Sequence, residues 1–104
     1  MQVNREIHEI NKNLNLGQYN KAKKRAKNII KFFPNNFYGW EILGIVYSKT
    51  KQFRDAEEVF KKALKLAPKE YSVWYNFSHN LKSCGDLNSA IDGYKKCIDL
   101  KPDF

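Results

Sequence analysis

The sequence predicts an all-α chain of three successive helix pairs, because its residues recur at an interval of 34 positions. Tryptophans mark this interval at Trp40 and Trp74, and prolines mark it at Pro34, Pro68 and Pro102. A fixed period of this length is typical of repeat arrays, in which each unit packs against its neighbours in the chain. We therefore expect a single array, with units of about 3–36, 37–70 and 71–104.

The first unit carries a weaker pattern than the other two. Ile7, Ile10 and Leu14 follow the spacing of three and four that places side chains on one face of a helix. A second helix is expected after Gly17, with Ala22 on its apolar face. The polar residues around the first stripe are typical of a terminal unit.

The second unit predicts an inner helix from about Phe37 to Thr50 and an outer helix from about Phe53 to Ala67. Pro68 then stops the outer helix, because proline has no backbone N–H to donate and clashes with the preceding turn. The apolar residues that follow helical spacing in these two segments are Trp40, Leu43, Val46 and Tyr47, and then Ala56, Val59, Phe60, Ala63 and Leu64.

The third unit repeats this arrangement. Gly85 permits the positive φ that closes a helix, and Asp86 can accept hydrogen bonds from the free amides of the next helix. The small residues Gly44, Ala56, Ala63 and Ala90 are expected to let paired helices approach closely. The apolar stripe of the third unit consists of Trp74, Phe77 and Leu81, followed by Leu87, Ala90, Tyr94, Cys97 and Ile98.

The second unit resembles the tetratricopeptide repeat (TPR) family nearly position for position. The matching residues are Trp40, Leu43, Gly44, Tyr47, Ala56, Phe60, Ala63 and Pro68. The third unit departs from the pattern at Phe77–Ser78 and at Cys97, and the first has Glu6 in place of the tryptophan and Ile10 in place of the glycine. The resemblance implies a right-handed superhelical solenoid of antiparallel helix pairs, whose first helices line a concave groove.

The resemblance also implies a function, since members of this family are typically scaffolds that hold an extended peptide or a partner's helix in the groove. Tyr38 and Tyr75 are expected to supply amphipathic contact area for such a ligand. The alternative is that the tyrosines only cover the groove floor or contact the preceding helix. By register, the groove-lining residues are Asn4, Ile7, Asn11, Leu14, Tyr38, Glu41, Ile45, Ser48, Tyr75, His79 and Lys82.

One ligand class of the family is the acidic tail of heat-shock chaperones, whose carboxylate is gripped by two Lys, two Asn and an Arg. The corresponding positions here are Ile7, Asn11, Ile42, Ser72 and Asn76. Only Asn11 has the residue type that the grip requires, and none of the five positions carries a cation that could pair with a carboxylate. The sequence therefore argues against a protein that binds chaperone tails.

The net charge of +8 is concentrated near the N-terminus, where residues 1–36 carry eight cations and two acids. A basic helix can bind phosphate backbones or anionic lipid. The alternative is a solvated convex face that keeps the array soluble, and the lack of interleaved aromatic residues argues against base stacking. The cations of this basic outer helix are Lys21, Lys23, Lys24, Arg25, Lys27 and Lys31.

The sequence offers no constellation for catalysis, a metal or a cofactor. His8 and His79 belong to different units, and Cys84 and Cys97 lack a paired metal-ligand spacing. We expect a non-enzymatic chain with reduced thiols, Cys97 buried and Cys84 more exposed. No apolar run approaches the roughly 18 residues of a membrane span, and the start has no leader features, so a cytoplasmic location is expected.

The C-terminal end raises a question of organisation, because only Asp103 and Phe104 follow Pro102. A capping helix is expected to be absent, leaving Leu81, Tyr94 or their neighbours uncovered. Three explanations compete: the chain is a fragment of a longer protein, it self-associates through this end, or the last pair tolerates exposure. As a fragment, it could be the TPR region of a larger enzyme, such as a glycosyl- or sulfotransferase, that presents a substrate or partner.

Overall fold

The computed structural model describes residues 3–101, which form six α-helices and no strand. The all-α prediction is therefore confirmed, and the helices of the second unit lie within one residue of their expected ends. Pro102, Asp103 and Phe104 lie outside the described residues. The helices are α1 (Val3–Asn15), α2 (Tyr19–Phe32), α3 (Phe37–Lys49), α4 (Phe53–Leu66), α5 (Tyr71–Ser83) and α6 (Leu87–Leu100).

The turn within each helix pair uses one left-handed residue, and these residues recur at the 34-residue interval. They are Gly17 (φ +70°), Lys51 (φ 64°) and Gly85 (φ +95°). The next residue in each turn donates its backbone N–H to a carbonyl five residues earlier, at 2.8 to 2.9 Å, which closes the preceding helix. The middle unit thus keeps the turn even though a lysine occupies a conformation that favours glycine.

The connection between units explains why each tryptophan follows a proline by six residues. The Trp40 indole Nε1 donates a hydrogen bond to the Pro34 carbonyl at 3.0 Å. The Trp74 indole donates to the Pro68 carbonyl at 2.9 Å. The two residues therefore act together, since the proline ends the outer helix and the indole binds the carbonyl left free there.

The small residues allow the paired helices to approach closely, as the sequence predicts. Where the third unit has a larger residue at one of these positions, a glycine on the partner helix makes room for it. Gly44 of α3 lies against the Phe60 ring of α4, where a methyl group would come within 2.6 Å of the ring. In the third unit Ser78 occupies the position equivalent to Gly44, and Gly93 of α6 provides the space instead. The departure from the repeat pattern at Ser78 is thus matched by a small residue on the partner helix.

The helices pack mainly against their neighbours in chain order, and α3 also contacts α5 directly. One buried cluster joins the first pair to α3 around Ile10, Ile29 and Leu43. Another joins α4 to the third pair around Phe60 and Phe77. This is the layout of an all-α solenoid, and it places α1, α3 and α5 along a shared groove. None of the helices in residues 3–101 is long and apolar enough to cross a membrane.

Candidate functional site

The candidate site is a groove along α1, α3 and α5 that contains two adjoining cavities. The first, here called the acidic cavity, has a volume of about 320 Å³ and lies between α1, α3 and the start of α5. The second, here called the His79 cavity, has a volume of about 270 Å³ and lies mainly between α3 and α5. Ile45 lines both cavities, so an extended ligand could run from one into the other.

Most residues that the sequence placed in the groove line one of these cavities. The acidic cavity includes Ile7, Asn11, Leu14, Tyr38, Glu41 and Ile45. The His79 cavity includes Ile45, Ser48, Tyr75 and His79. Asn4 and Lys82 are exposed and lie outside the described linings of both cavities. Whether these residues contact a ligand stays a prediction.

The two groove tyrosines are exposed and also packed against neighbouring rings. Tyr38 is 41% exposed and stacks on Phe37, with ring centroids 4.4 Å apart. Tyr75 is 38% exposed and meets Tyr94 edge to face, with centroids 5.8 Å apart. Each ring is therefore held by a neighbour while part of its surface faces solvent, which suits a rigid contact for a ligand.

Glu41 is the least expected feature of the groove, because its side chain is only 5% exposed although it lines the acidic cavity. Its carboxylate Oε2 accepts a hydrogen bond from Asn76 Nδ2 at 3.1 Å. Burial raises the pKa of Glu41, hydrogen bonding from Ser72 and Asn76 opposes the rise, and the charge of Glu70 adds to it. The groove thus holds a carboxylate that is costly to ionise.

Glu41 has no ion-pair partner among residues 3–101. Ion pairs within residues 3–101 join Arg25 to Glu6 and Lys61 to Glu57, and neither pair includes Glu41. Among the described residues that line the acidic cavity, none is a lysine, arginine or histidine. The lining therefore contributes two carboxyl groups and no cation, on a chain whose net charge is +8.

Sequence reasoning missed several lining residues, chiefly Glu70 and Tyr71 of the acidic cavity and Lys49 of the His79 cavity. Glu70 is the N-cap of α5 and precedes its first turn. A helical register that includes only residues within the inner helices therefore does not include it. The signal that was available is its position directly before the third inner helix, next to residues that the register does assign to the groove.

The positions that correspond to the carboxylate grip of chaperone-tail binders do line the groove. Ile7, Asn11, Ile42 and Ser72 border the acidic cavity, and Asn76 borders the His79 cavity. Two of these positions are apolar, and the acidic cavity contains Glu41 and Glu70, so the described lining of that cavity gives an acidic tail no cation to pair with.

The basic outer helix α2 differs from its prediction in one respect, because two of its six cations are not free on a solvated face. Lys23 is partly buried, with its ammonium 5.2 Å from the centre of the Tyr47 ring. Arg25 is partly buried and forms an ion pair with Glu6 at 3.1 Å. These two side chains point toward α3 and α1, against which α2 packs.

The other four cations of α2 are exposed: Lys21, Lys24, Lys27 and Lys31. Lys21 and Lys24 border a cleft that also contains Glu6 and Glu9. Two acids of α1 therefore lie among the cations on this side of the molecule, and the role of the basic outer helix stays a prediction.

The apolar residues exposed near the C-terminal end are not those that the sequence named first. Leu81 is buried, at 6% exposure, because it packs in the cluster around Phe60 and Phe77. Tyr94 is partly buried. Among the described residues of α6, the exposed apolar ones are Leu87, Ile91 and Ile98, which are neighbours of the residues that the sequence named.

The thiols lie as expected, with Cys97 buried and Cys84 exposed, and both are free. Burial raises the pKa of the Cys97 thiol. Residues 3–101 contain no group of three or more His, Cys, Asp or Glu side chains that could hold a metal ion.

These features define a TPR array, and comparison with known proteins agrees. A solved structure of the first TPR of Spaghetti (RPAP3) bound to an HSP90 peptide superposes with a TM-score of 0.87 at 20% identity, over 93% of this chain and 77% of that chain. A Thermobaculum terrenum O-GlcNAc transferase mutant superposes with a TM-score of 0.92 at 19% identity, over 97% of this chain and 19% of that one.

Residues 1–100 match the family model described as anaphase promoting complex subunit 8 / Cdc23, and the chain belongs to this TPR-like family. Superkiller complex protein 3 of Mus musculus is 28% identical over 86 residues, which are 80% of this chain. The chain spans 6% of the length of that relative.

Proposed function

We propose that this chain is a protein-interaction scaffold that holds an extended peptide or a partner's helix in the groove of α1, α3 and α5. The observation that carries the proposal is the pair of adjoining cavities, each bordered by an exposed and ring-packed tyrosine, Tyr38 in one and Tyr75 in the other. Such rings give contact area at a low cost in conformational entropy. We also propose that the chain is non-catalytic and cytoplasmic.

The relatives support this proposal by what their names state of them. The family is described as a subunit of a complex, and one structural neighbour was solved with a bound peptide. For this chain we propose a ligand other than an acidic chaperone tail, because cations are absent from the described lining of the acidic cavity. We propose an affinity in the micromolar range, which corresponds to about 8 kcal/mol.

The test is capture of peptides from a random library of extended peptides by the native chain and by a Tyr38→Ala, Tyr75→Ala double variant. The double variant should lose binding by about tenfold or more, since truncation of an aromatic anchor costs roughly 2 kcal/mol or more. A matched control is Phe32→Ala, which removes an exposed aromatic ring from α2, outside the groove. Circular dichroism should show the same helix content in all three proteins.

Equal capture by the double variant would contradict the groove assignment. If Phe32→Ala alone lowered capture, the binding surface would lie on the outer helices. A salt-sensitive interaction that is lost on charge reversal at Lys24 and Lys27 would support instead a basic surface for nucleic acid or membrane.

A second candidate is the TPR region of a larger enzyme that presents a substrate or partner. The similarity to the O-GlcNAc transferase structure favours it, because this chain matches 19% of a much longer enzyme chain there. The two candidates differ in what adjoins the repeats in the complete reading frame. A catalytic domain there would support the second, and its absence would support the first.

A further inference from the structure

We infer that the acidic cavity is a pocket for a basic side chain, an arginine or lysine of the bound peptide, with Glu41 as its counter-charge. The inference rests on the proposed function, since it names the chemistry of the ligand that the groove holds. It depends on three properties of the cavity: its charge, its walls and its rim.

The charge of the cavity favours a cation. Glu41 is only 5% exposed, and the groups that donate hydrogen bonds to its carboxylate, the Asn76 amide at 3.1 Å and the Ser72 side chain, are neutral. A buried carboxylate without a cation is costly, because desolvation is not offset by an opposite charge. Glu70 adds a second acid to the same lining. A cationic side chain entering the cavity would relieve this cost, whereas an acidic one would increase it.

A lysine at the end of α6 contacts one aromatic residue of the lining. Lys101 lies against Tyr71, with its ammonium 4.5 Å from the ring centre and 3.2 Å from the phenol oxygen. It does not belong to the described lining of the acidic cavity. Its position shows that an aromatic ring at this end of the groove accepts a cation on its face.

The walls of the cavity suit a long aliphatic stem. Ile7 and Leu14 contribute from α1, and Ile42 and Ile45 contribute from α3. Lysine and arginine bury their methylene stems against apolar surface and place the charged head at a polar partner. A volume of about 320 Å³ is ample for one such side chain. An aliphatic ligand residue could fill the same walls but would leave Glu41 without a partner.

The rim adds an aromatic contact. Tyr38 borders the cavity and is held by its stacking on Phe37. A guanidinium can stack on such a ring while it donates two hydrogen bonds to a carboxylate, and an ammonium cannot match this geometry. The native chain should therefore prefer arginine over lysine, and either over a neutral side chain of similar length.

The experiment uses nonapeptide libraries in which the central residue is fixed as arginine, citrulline, lysine, norleucine or glutamate, and the other positions are random. Citrulline and norleucine are neutral analogues of nearly the same length as the two basic residues. The native chain should capture the arginine library about tenfold or more above the citrulline library, because a hydrogen bond to a charged group stabilises by roughly 1.5–3 kcal/mol.

Two variants test the role of Glu41. Glu41→Gln keeps an acceptor for Asn76 and nearly the same volume, and it should abolish most of the preference for arginine over citrulline. Glu58→Gln is the matched control, because it removes an exposed acid of α4 that lies outside the described linings of both cavities; the preference should remain. Circular dichroism and the unfolding midpoint establish that both variants fold.

The outcomes separate this inference from the proposed function. Equal capture of arginine and citrulline libraries, with capture lost in the tyrosine double variant, would overturn the basic pocket and leave the groove standing. A preference unchanged in Glu41→Gln would also overturn it. Failure of every library to bind would contradict both. Preference for the glutamate library would show that the groove selects the opposite charge.

Discussion

Substitution of Gly44 by alanine tests the close approach of α3 and α4. The added methyl group would lie 2.6 Å from Cε1 of Phe60 and 2.7 Å from Cδ1 and Cζ, so the ring or the helix must move by roughly 0.8 Å to reach an ordinary contact distance. The ring is fully buried and stacks against Phe77 at 6.0 Å, so its movement disturbs the next pair.

The magnitude follows from two opposing effects. Overpacking a well-packed core costs about 1–3 kcal/mol. Alanine is favoured over glycine within a helix by about 1 kcal/mol. For a ring held on several sides we expect the upper part of the overpacking range, and hence a net loss of about 1–2 kcal/mol. For a chain of this size the melting temperature should fall by roughly 4–15 °C.

The assay is thermal and urea unfolding of four proteins: native, Gly44→Ala, Phe60→Leu and the double variant. Leucine has no ring at the point of contact, so the cost of Gly44→Ala should largely disappear in the Phe60→Leu background. Additive losses would refute the reasoning, because the cost would then not come from the ring. A more stable Gly44→Ala would refute it directly.

Two further predictions concern ionisable groups. Because burial raises the pKa of Glu41, the folded chain holds a proton that the unfolded chain has already lost, so the free energy of unfolding should fall as pH rises from the ordinary glutamate pKa to the raised value. Urea unfolding over this pH range should show a weaker pH dependence of the unfolding free energy in Glu41→Gln than in the native chain. The other titratable groups of the lining, Tyr38, Glu70 and Tyr71, are the same in both proteins. Identical pH profiles would contradict the raised pKa of Glu41. Iodoacetamide should alkylate exposed Cys84 well before buried Cys97, as peptide mass spectrometry can measure, and equal rates in the folded chain would contradict the placement of Cys97.

The fold was readable from the sequence because its determinants are local and repeated. Proline, glycine and the apolar stripe act within one unit, and the period supplies a second and third copy of each signal. Lys51 is an example: its residue type alone does not predict a left-handed turn, but the 34-residue period places a turn at this position. The compensation between Ser78 and Gly93 was not readable, since it depends on which positions of two helices face each other.

The candidate groove was readable only in part. Helical register located Tyr38, Tyr75 and Ile45, because side-chain direction follows from position in a helix. It did not reveal that Glu41 is buried, since burial there depends on packing of α1 and α5 on either side of α3. Nor did it reveal that Lys23 and Arg25 of α2 turn toward neighbouring helices, where a ring and a carboxylate hold them.

The central claim is that ligands bind between α1, α3 and α5, and the most direct test is to locate a captured peptide on the ¹⁵N-labelled native chain by NMR. The account predicts that chemical-shift changes and intermolecular Overhauser contacts concentrate on residues of the two cavities, with Tyr38, Glu41 and Tyr75 among them. Changes confined to the exposed lysines of α2, or to Leu87, Ile91 and Ile98 on α6, would contradict it.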